Sequence, residues 1–339
     1  MNLFYISNNE KLKLEVASFI DKWNDESSFF ESKTSGSTGV PKTIRIEKRF
    51  ARASANATID FLKLKNEDNV LLCLSIQTIG GKMLVVRSII NSMNLFVIDA
   101  SSNPLKETEI EFDFIAIAPI QLTTILEETP DKLKSVRKII LGGGQIHEDT
   151  INLLKRNKIT VYQTFGMTET ISHIALRKVG FEEDDYYTTV KGITINEIQG
   201  QLIVNAPHLG LDNLLTNDWV EVIDFNHFKW LGRFDHVINS GGIKIQIDEL
   251  ELLLQKKINN RLFIYPKKDK LLGEKVVLIV EGAFQDKLTK KEFFTFIDNK
   301  FQIPKEVAFL EEFIMTNSHK INRFANFESI HELAFKQIL

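Results

Sequence analysis

The chain has little with which to build a disulfide-tied, zinc-tied or membrane-spanning protein. Its 339 residues include one cysteine, Cys73, inside the apolar run VLLCLSI (70–76). A disulfide within the chain is therefore excluded, and a small buried core residue is the expected role of Cys73 rather than a nucleophile. Neither HExxH nor CxxC occurs, and no His/Cys/carboxylate group has zinc-ligand spacing. No apolar run approaches the roughly 18 residues a membrane helix needs, and MNLFYISNNEK lacks the basic and apolar regions of a signal peptide. These absences place the chain in the cytoplasm without membrane insertion. Excess charge is missing too: 42 Lys and Arg stand against 45 Asp and Glu, net −3, which gives no electrostatic ground for a nucleic-acid partner. Internal repeats and low-complexity tracts are absent, and the acidic run EEDDYY (182–187) reads as a solvated loop.

What remains is ordinary globular material, 43% hydrophobic and 26% charged, enough for a large core and two domains. Residues 10–23 put Leu12, Val16, Phe19, Ile20 and Trp23 on one helical face, and 51–64 read as a second helix. The short apolar runs VLLCLSI (70–76), LFVID (95–99), FIAIA (114–118), KIILG (138–142) and TVYQTF (160–165) are separated by helical patterns. That alternation predicts an α/β fold with a large, mainly parallel sheet covered by helices. Closely spaced strands between 197 and 231 predict an antiparallel or barrel-like element. Beyond it, Asp248 and Glu251 form a start signal for the helix DELELLLQKKI, and Thr289 and Glu292 repeat the signal before KEFFTFIDNKF. KVVLIVEG (275–282) reads as a buried strand. The expected division is 1–232 for the large domain and 233–339 for a small α+β unit.

The most chemically pointed stretch is KTSGSTGVPK (33–42). Backbone N–H groups around Gly36 and Gly39, the hydroxyls of Thr34, Ser35, Ser37 and Thr38, and the charge of Lys42 suit a polyphosphate. It is not a Walker A loop, because Pro41 precedes the lysine, fixing φ and removing an N–H.

A Ser/Thr/Gly loop closed by Pro-Lys resembles the phosphate loop of the acyl-adenylate-forming enzymes, and further motifs resemble that family in the same order. IILGGGQ (139–145) resembles the glycine turn beside the nucleotide and acyl group, with Gly143 and Gly144 on the nucleotide side and Gly142 on the acyl side. YQTFGMTET (162–170) resembles the signature in which Gln163, Thr164, Phe165 and Gly166 adjoin the nucleotide, Thr168 meets the α-phosphate and Glu169 holds magnesium. Thr216-Asn217-Asp218 stands for the family's Thr-Gly-Asp, whose carboxylate takes the ribose hydroxyls. GRFDHVINSGGIK (232–244) resembles the hinge into a mobile C-terminal lid. It implies Arg233 at the nucleotide, Asp235 as hinge, and Gly241, Gly242 and Lys244 on the coenzyme A side. NSHKINR (317–323) resembles the segment with the catalytic lysine, here Lys320, although His319 replaces a common glycine. The local alternatives are bland: Thr168 and Glu169 could cap a helix, Asp218 could cap a turn, and Lys320 could be a surface lysine. One departure is large, since only residues 1–32 precede the phosphate loop. The side left open calls for repacking or a partner chain, so a homo-oligomer stays among the expected partners.

The resemblance implies an ATP- and Mg²⁺-dependent ligase that forms an acyl adenylate and then a thioester with coenzyme A. For the acid, SIQTIGGKMLVVRSI (75–89) is the informative segment, with Gln77 and Gly81 at the acyl channel and His173 as a further wall residue or ligand. Arg87 is a lone cation in an apolar helical pattern. It is either a surface residue or the counter-charge for a second carboxylate, an arrangement similar to the o-succinylbenzoate–CoA ligases of menaquinone biosynthesis. The alternatives are an adenylating enzyme that loads a carrier protein and a nucleotide-binding protein that has lost catalysis.

Overall fold

A computed structural model describes residues 1–33, 43–144, 146, 148–234, 236–315 and 321–339. The chain forms two compact units. One comprises 1–198, 203–216 and 222–229, and the other 199–202, 217–221 and 230–339.

In the first unit the order is β1 (Asn2–Tyr5), α1 (Glu10–Asn24), β2 (Phe29–Lys33), β3 (Thr43–Glu47), α2 (Lys48–Leu62), β4 (Asn69–Leu72), α3 (Ile79–Ile90), β5 (Asn94–Val97), β6 (Phe114–Ile117), α4 (Pro119–Glu128), α5 (Pro130–Lys134), β7 (Lys138–Leu141), α6 (Glu148–Asn157), β8 (Thr160–Gly166), β9 (His173–Gly180) and β10 (Tyr187–Thr189). Closely spaced strands follow, β11 (Thr194–Ile198), β12 (Gln201–Ala206), β13 (Leu211–Val222) and β14 (His227–Arg233), and their residues are shared between the units. The sheet runs β1-β5-β4-β6-β7-β8 in parallel, then turns antiparallel through β9, β10 and β14. Parallel neighbours need crossovers, and the helices supply them, so both faces of the sheet are covered.

Alternation within the strands divides the core. Leu71, Ile115, Ile117, Ile139, Leu141 and Val161 join Leu122 and Ile125 of α4 and Leu154 of α6 in one buried cluster. Val70, Leu72, Phe114 and Ile140, one residue out of phase, are buried on the opposite face. Cys73 is fully buried in the first cluster, and burial pushes its thiol up to about 12, which suits an inert core residue. At the edge, β1 lies parallel to β5, and Phe4 stacks on Phe96 with centroids 4.7 Å apart. The short N-terminal segment thus supplies its own edge strand.

The second unit continues with β15 (Val237–Ser240), β16 (Ile243–Gln246), α7 (Ile247–Gln255), β17 (Leu262–Asp269), β18 (Gly273–Glu281), β19 (Glu306–Leu310), α8 (Arg323–Ser329) and β20 (Lys336–Gln337). Its sheet order is β16-β15-β18-β19-β20, with β17 also on β18. β18 is buried on both sides: Val276, Leu278 and Val280 enter one cluster, and Val277 and Ile279 the other. No helix among the described residues is long and apolar enough to cross a membrane.

Two expectations for this unit are corrected. Asp248 and Glu251 do not form a helix-start box, because α7 begins one residue before Asp248 and has no side-chain cap. The Asp248 carboxylate accepts from the Arg233 backbone N–H at 2.8 Å, and Glu251 takes the Arg323 guanidinium through bonds of 2.5 and 2.7 Å. Nor does Thr289 open a helix. Asp286–Thr289 and Lys291–Phe294 are separate 3-10 turns, because Thr289 O accepts from Leu339 N and Lys291 N donates to Leu339 O. The C-terminus takes the hydrogen bonds that a helix would have used.

The Glu251–Arg323 fork joins residues 72 apart. Arg323→Leu should cost about 3 kcal/mol, the lower end of what deleting one partner of a buried pair costs, since Arg323 keeps some access to water. Urea unfolding of the whole chain measures this, and a loss below about 1 kcal/mol would class the fork with surface pairs.

Candidate active site

Four parallel strands end together, and each is followed by a turn that bares backbone. After β4, Ser75 to Thr78 lead into α3, whose first turn is capped by the Thr78 hydroxyl accepting from Gly81 N at 3.2 Å. After β6 come Ala118 and the proline that opens α4. After β7 come Gly142, Gly143 and Gly144, and after β8 a tight turn through Met167–Thr170 returns the chain as β9. Ligands of open α/β sheets bind beyond these carboxyl ends.

Glycine is required at two of these places. A Cβ on Gly81 would lie 2.3 Å from the Ser75 carbonyl oxygen, and one on Gly166 would lie 2.5 Å from His173 Cα. Gly142 N donates to Ile117 O, and the Thr164 hydroxyl donates to Leu141 O at 3.0 Å, which fixes the ends of three neighbouring strands. Gly143, at φ +89°, and Gly144 are exposed. Gln163 is buried and accepts from Arg177 Nε at 2.9 Å, while Phe165 packs edge-on to Phe228.

The turn holds Thr168 buried and Glu169 exposed, with no helix following, so the helix-cap alternative for this pair is excluded. Thr170 ties the turn: its hydroxyl accepts from Met167 N and lies 2.7 Å from Ser172 O. No three His, Cys or carboxylate residues gather as a metal site among the described residues. A single exposed carboxylate such as Glu169 fits Mg²⁺, which takes most of its ligands from phosphate and water.

Under the turn lies a buried polar group that sequence reasoning saw only in part. Arg87 is 2% exposed, so the surface reading of this residue is excluded. Its Nη2 donates to Ser172 Oγ at 2.9 Å, and its Nε has no hydrogen-bond partner among the described residues. Burial lowers its pKa to about 9. His173, also buried, has Nε2 2.9 Å from the Thr58 hydroxyl, which in turn lies 3.1 Å from Ser54 O. Ser172 and Thr58 were missed. The one sign of Thr58 in the sequence is its position on the small-residue face of α2 that also buries Ala51, Ser54 and Ala55. Gln77, by contrast, is exposed in the turn before α3.

In the second unit, Asp218 is buried and accepts from the Trp230 indole N–H at 3.0 Å, with Arg233 Nη1 at 4.0 Å. Trp230 is another residue the sequence did not flag. Gly241 and Gly242, with φ +59° and +83°, form the two-residue turn of the β15–β16 hairpin, and Lys244 is exposed beside it. Thr34 to Lys42, Asp235 and Lys320 lie outside the described residues. Of their surroundings, β2 and β3 pair up to Lys33 and Thr43, on either side of the candidate phosphate loop.

Burial, then the positive charge of Arg87, holds His173 well below its ordinary 6.5. Below pH 6.5 the unfolded chain takes a proton that the folded chain refuses. His173 should therefore remove about 1.4 kcal/mol of stability per pH unit as pH falls. Urea unfolding between pH 6.5 and 5 should show a shallower decline for His173→Gln than for the parent chain; equal slopes would contradict the buried neutral imidazole.

The model of the AMP-binding enzyme family matches residues 29–202. The 2-succinylbenzoate–CoA ligase of Bacillus cytotoxicus is 26% identical over 327 residues, covering 86% of this chain and 68% of that protein. Among solved structures, an acyl-CoA synthetase (AMP-forming)/AMP-acid ligase II-like protein from Dyadobacter fermentans is 32% identical with a TM-score of 0.64, and 95% of each chain is covered. The O-succinylbenzoate coenzyme A synthetase of Bacillus subtilis, in complex with ATP and magnesium ion, shares the fold at a TM-score of 0.75 and 22% identity over 88% of this chain and 69% of that one. With its strand-end glycine turns and a family match over half its length, the chain belongs to the AMP-binding enzymes.

Proposed function

We propose that the chain is an AMP-forming acid–thiol ligase that joins o-succinylbenzoate to coenzyme A through an acyl adenylate, as a step in menaquinone biosynthesis in the cytoplasm. The observation that carries this reading is the convergence of Gly81, Gly142–Gly144 and the Gly166–Glu169 turn at the carboxyl ends of adjacent parallel strands. The names borne by relatives supply the acid and the thiol.

In the first half-reaction an oxygen of the acid's succinyl carboxylate bonds to the α-phosphorus of ATP, and the bond to pyrophosphate breaks. In the second, the thiol sulfur bonds to the acyl carbon, AMP leaves with the electron pair, and the thiol proton passes to solvent. No protein nucleophile is needed, in keeping with the inert Cys73. The chain's work is placement and charge: Thr168 would donate to the α-phosphate, Asp218 would accept from the ribose hydroxyls, and Lys42 and Lys320 would face phosphate and acyl oxygens. Glu169 would hold Mg²⁺, which neutralises phosphate charge when bound. Arg233 would lie at the nucleotide and Asp235 would be the hinge of the lid 233–339, so that Lys320 and the Gly241–Gly242 turn with Lys244 serve the two half-reactions in turn.

Supplied with MgATP, o-succinylbenzoate and coenzyme A, the protein should yield thioester, AMP and pyrophosphate one for one. Release of ADP would contradict the reading, and acyl adenylate that persists beside free coenzyme A would move the acceptor to a carrier-protein thiol. Lys42→Ala and Glu169→Gln should each slow adenylation at limiting ATP by about 10²–10³-fold. Lys320→Ala should block adenylation yet still convert supplied acyl adenylate to thioester; equal loss of both half-reactions in folded protein would remove the alternating lid.

A further inference from the structure

Ile171 stands in a backbone conformation that its own side chain opposes. Seven non-glycine residues among those described have positive φ, and six of them, Lys63, Glu67, Ser92, Lys158, Gln199 and Asn213, are exposed and unbranched at Cβ. Ile171, at φ +70°, is β-branched and only 5% exposed. A branched Cβ crowds the backbone in this region, so the conformation is a true outlier. The Ser172 N–H donates to the Thr170 carbonyl at 2.8 Å, a bond that closes a three-residue turn around Ile171. With positive φ at its centre, this is the rare and strained form of γ-turn.

Such strain persists only where the surroundings over-determine it. Two features do so here. The Ile171 side chain is buried, so the turn withdraws its apolar surface from water. Thr170, 1% exposed, ties both flanks: its hydroxyl accepts from Met167 N at 2.9 Å and lies 2.7 Å from Ser172 O. The Ile171 N–H in turn donates to Thr168 O at 2.9 Å. The strained residue is thus bonded directly to Thr168, and Glu169 sits inside the loop that this bond closes.

We propose that Ile171 is a positioning residue: burial of its side chain holds the γ-turn against strain and so fixes Thr168 and Glu169 for MgATP before the nucleotide arrives. This rests on the ligase reading for what those two residues touch. A turn held in advance spares the nucleotide the cost of ordering it, because apparent affinity falls with the fraction of molecules in the competent form.

Alanine and glycine should exchange their usual order at this position. Elsewhere alanine is the stiffer residue, but at positive φ alanine keeps the strain and loses the anchor, whereas glycine loses both. Calorimetric titration of the whole chain with MgATP should therefore show binding about 10-fold weaker for Ile171→Gly and about 100-fold weaker for Ile171→Ala. Ile171→Val, which keeps a branched apolar anchor, should stay within threefold of the parent. Hydrogen exchange of amides 166–173 should quicken in the same order, with those of β6 and β7 unchanged. The proposal is overturned if Ile171→Ala binds as tightly as Ile171→Gly, if either binds within threefold of the parent, or if Ile171→Val loses as much as Ile171→Gly. Faster exchange throughout the sheet would also overturn it, since Ile171 would then be merely structural. A chain that folds with glycine but not with alanine reads the expected order; the reverse, or failure of both to fold, would overturn it. Absence of acid-dependent pyrophosphate exchange in the parent would sink the ligase reading, while the order of MgATP affinities would still decide the role of Ile171.

Discussion

The approach of Gly166 to His173 is the constraint on which the candidate site depends. No side chain fits at position 166, since its first carbon would lie 2.5 Å from His173 Cα. That closeness lets β8 reverse into β9 through a turn of a few residues, where the parallel half of the sheet gives way to the antiparallel half. One backbone contact thereby presents Glu169 to solvent, buries Thr168, and lays Ser172 and His173 against Arg87 beneath them.

Electrostatics then separates the two sides of that turn. Glu169, exposed, suits a hydrated ion, while Arg87 and His173 are cut off from water and interact more strongly. The cation keeps its charge, and the imidazole beside it yields its own. Such an arrangement works against folding, which is where binding sites depart from the best-packed solution. The rest of the unit offsets it with strands buried on both faces and with a core in which Cys73 is inert.

Much of this was legible in the sequence because it depends on period and on glycine. Short apolar runs between helical patterns mark β4 to β8, and the glycines at 81, 142–144 and 166 stand where backbone must approach backbone or lie bare. Arg87 drew notice as a cation in an apolar segment, and the structure decides between its two readings by burying it. Thr58, Ser172 and Trp230 were not legible, because a single polar residue carries no periodic signal and its partner lies far along the chain. Asp248 and Glu251 misled for a related reason: spacing three apart suits a helix start, but it equally sets two carboxylates on one helix face for Arg233 N and Arg323. The aromatic stretch after Thr289 misled because its hydrogen bonds are taken by the C-terminus.

The family membership and the strand-end turns together make one chemical claim, that this chain joins a carboxylate to the α-phosphate of ATP reversibly. Exchange of labelled pyrophosphate into ATP, in the presence of Mg²⁺ and without any thiol, measures that step alone. The account predicts exchange that is absent without acid and appears with o-succinylbenzoate. Nucleotide binding with no acid-dependent exchange for o-succinylbenzoate, benzoate or fatty acids would contradict it.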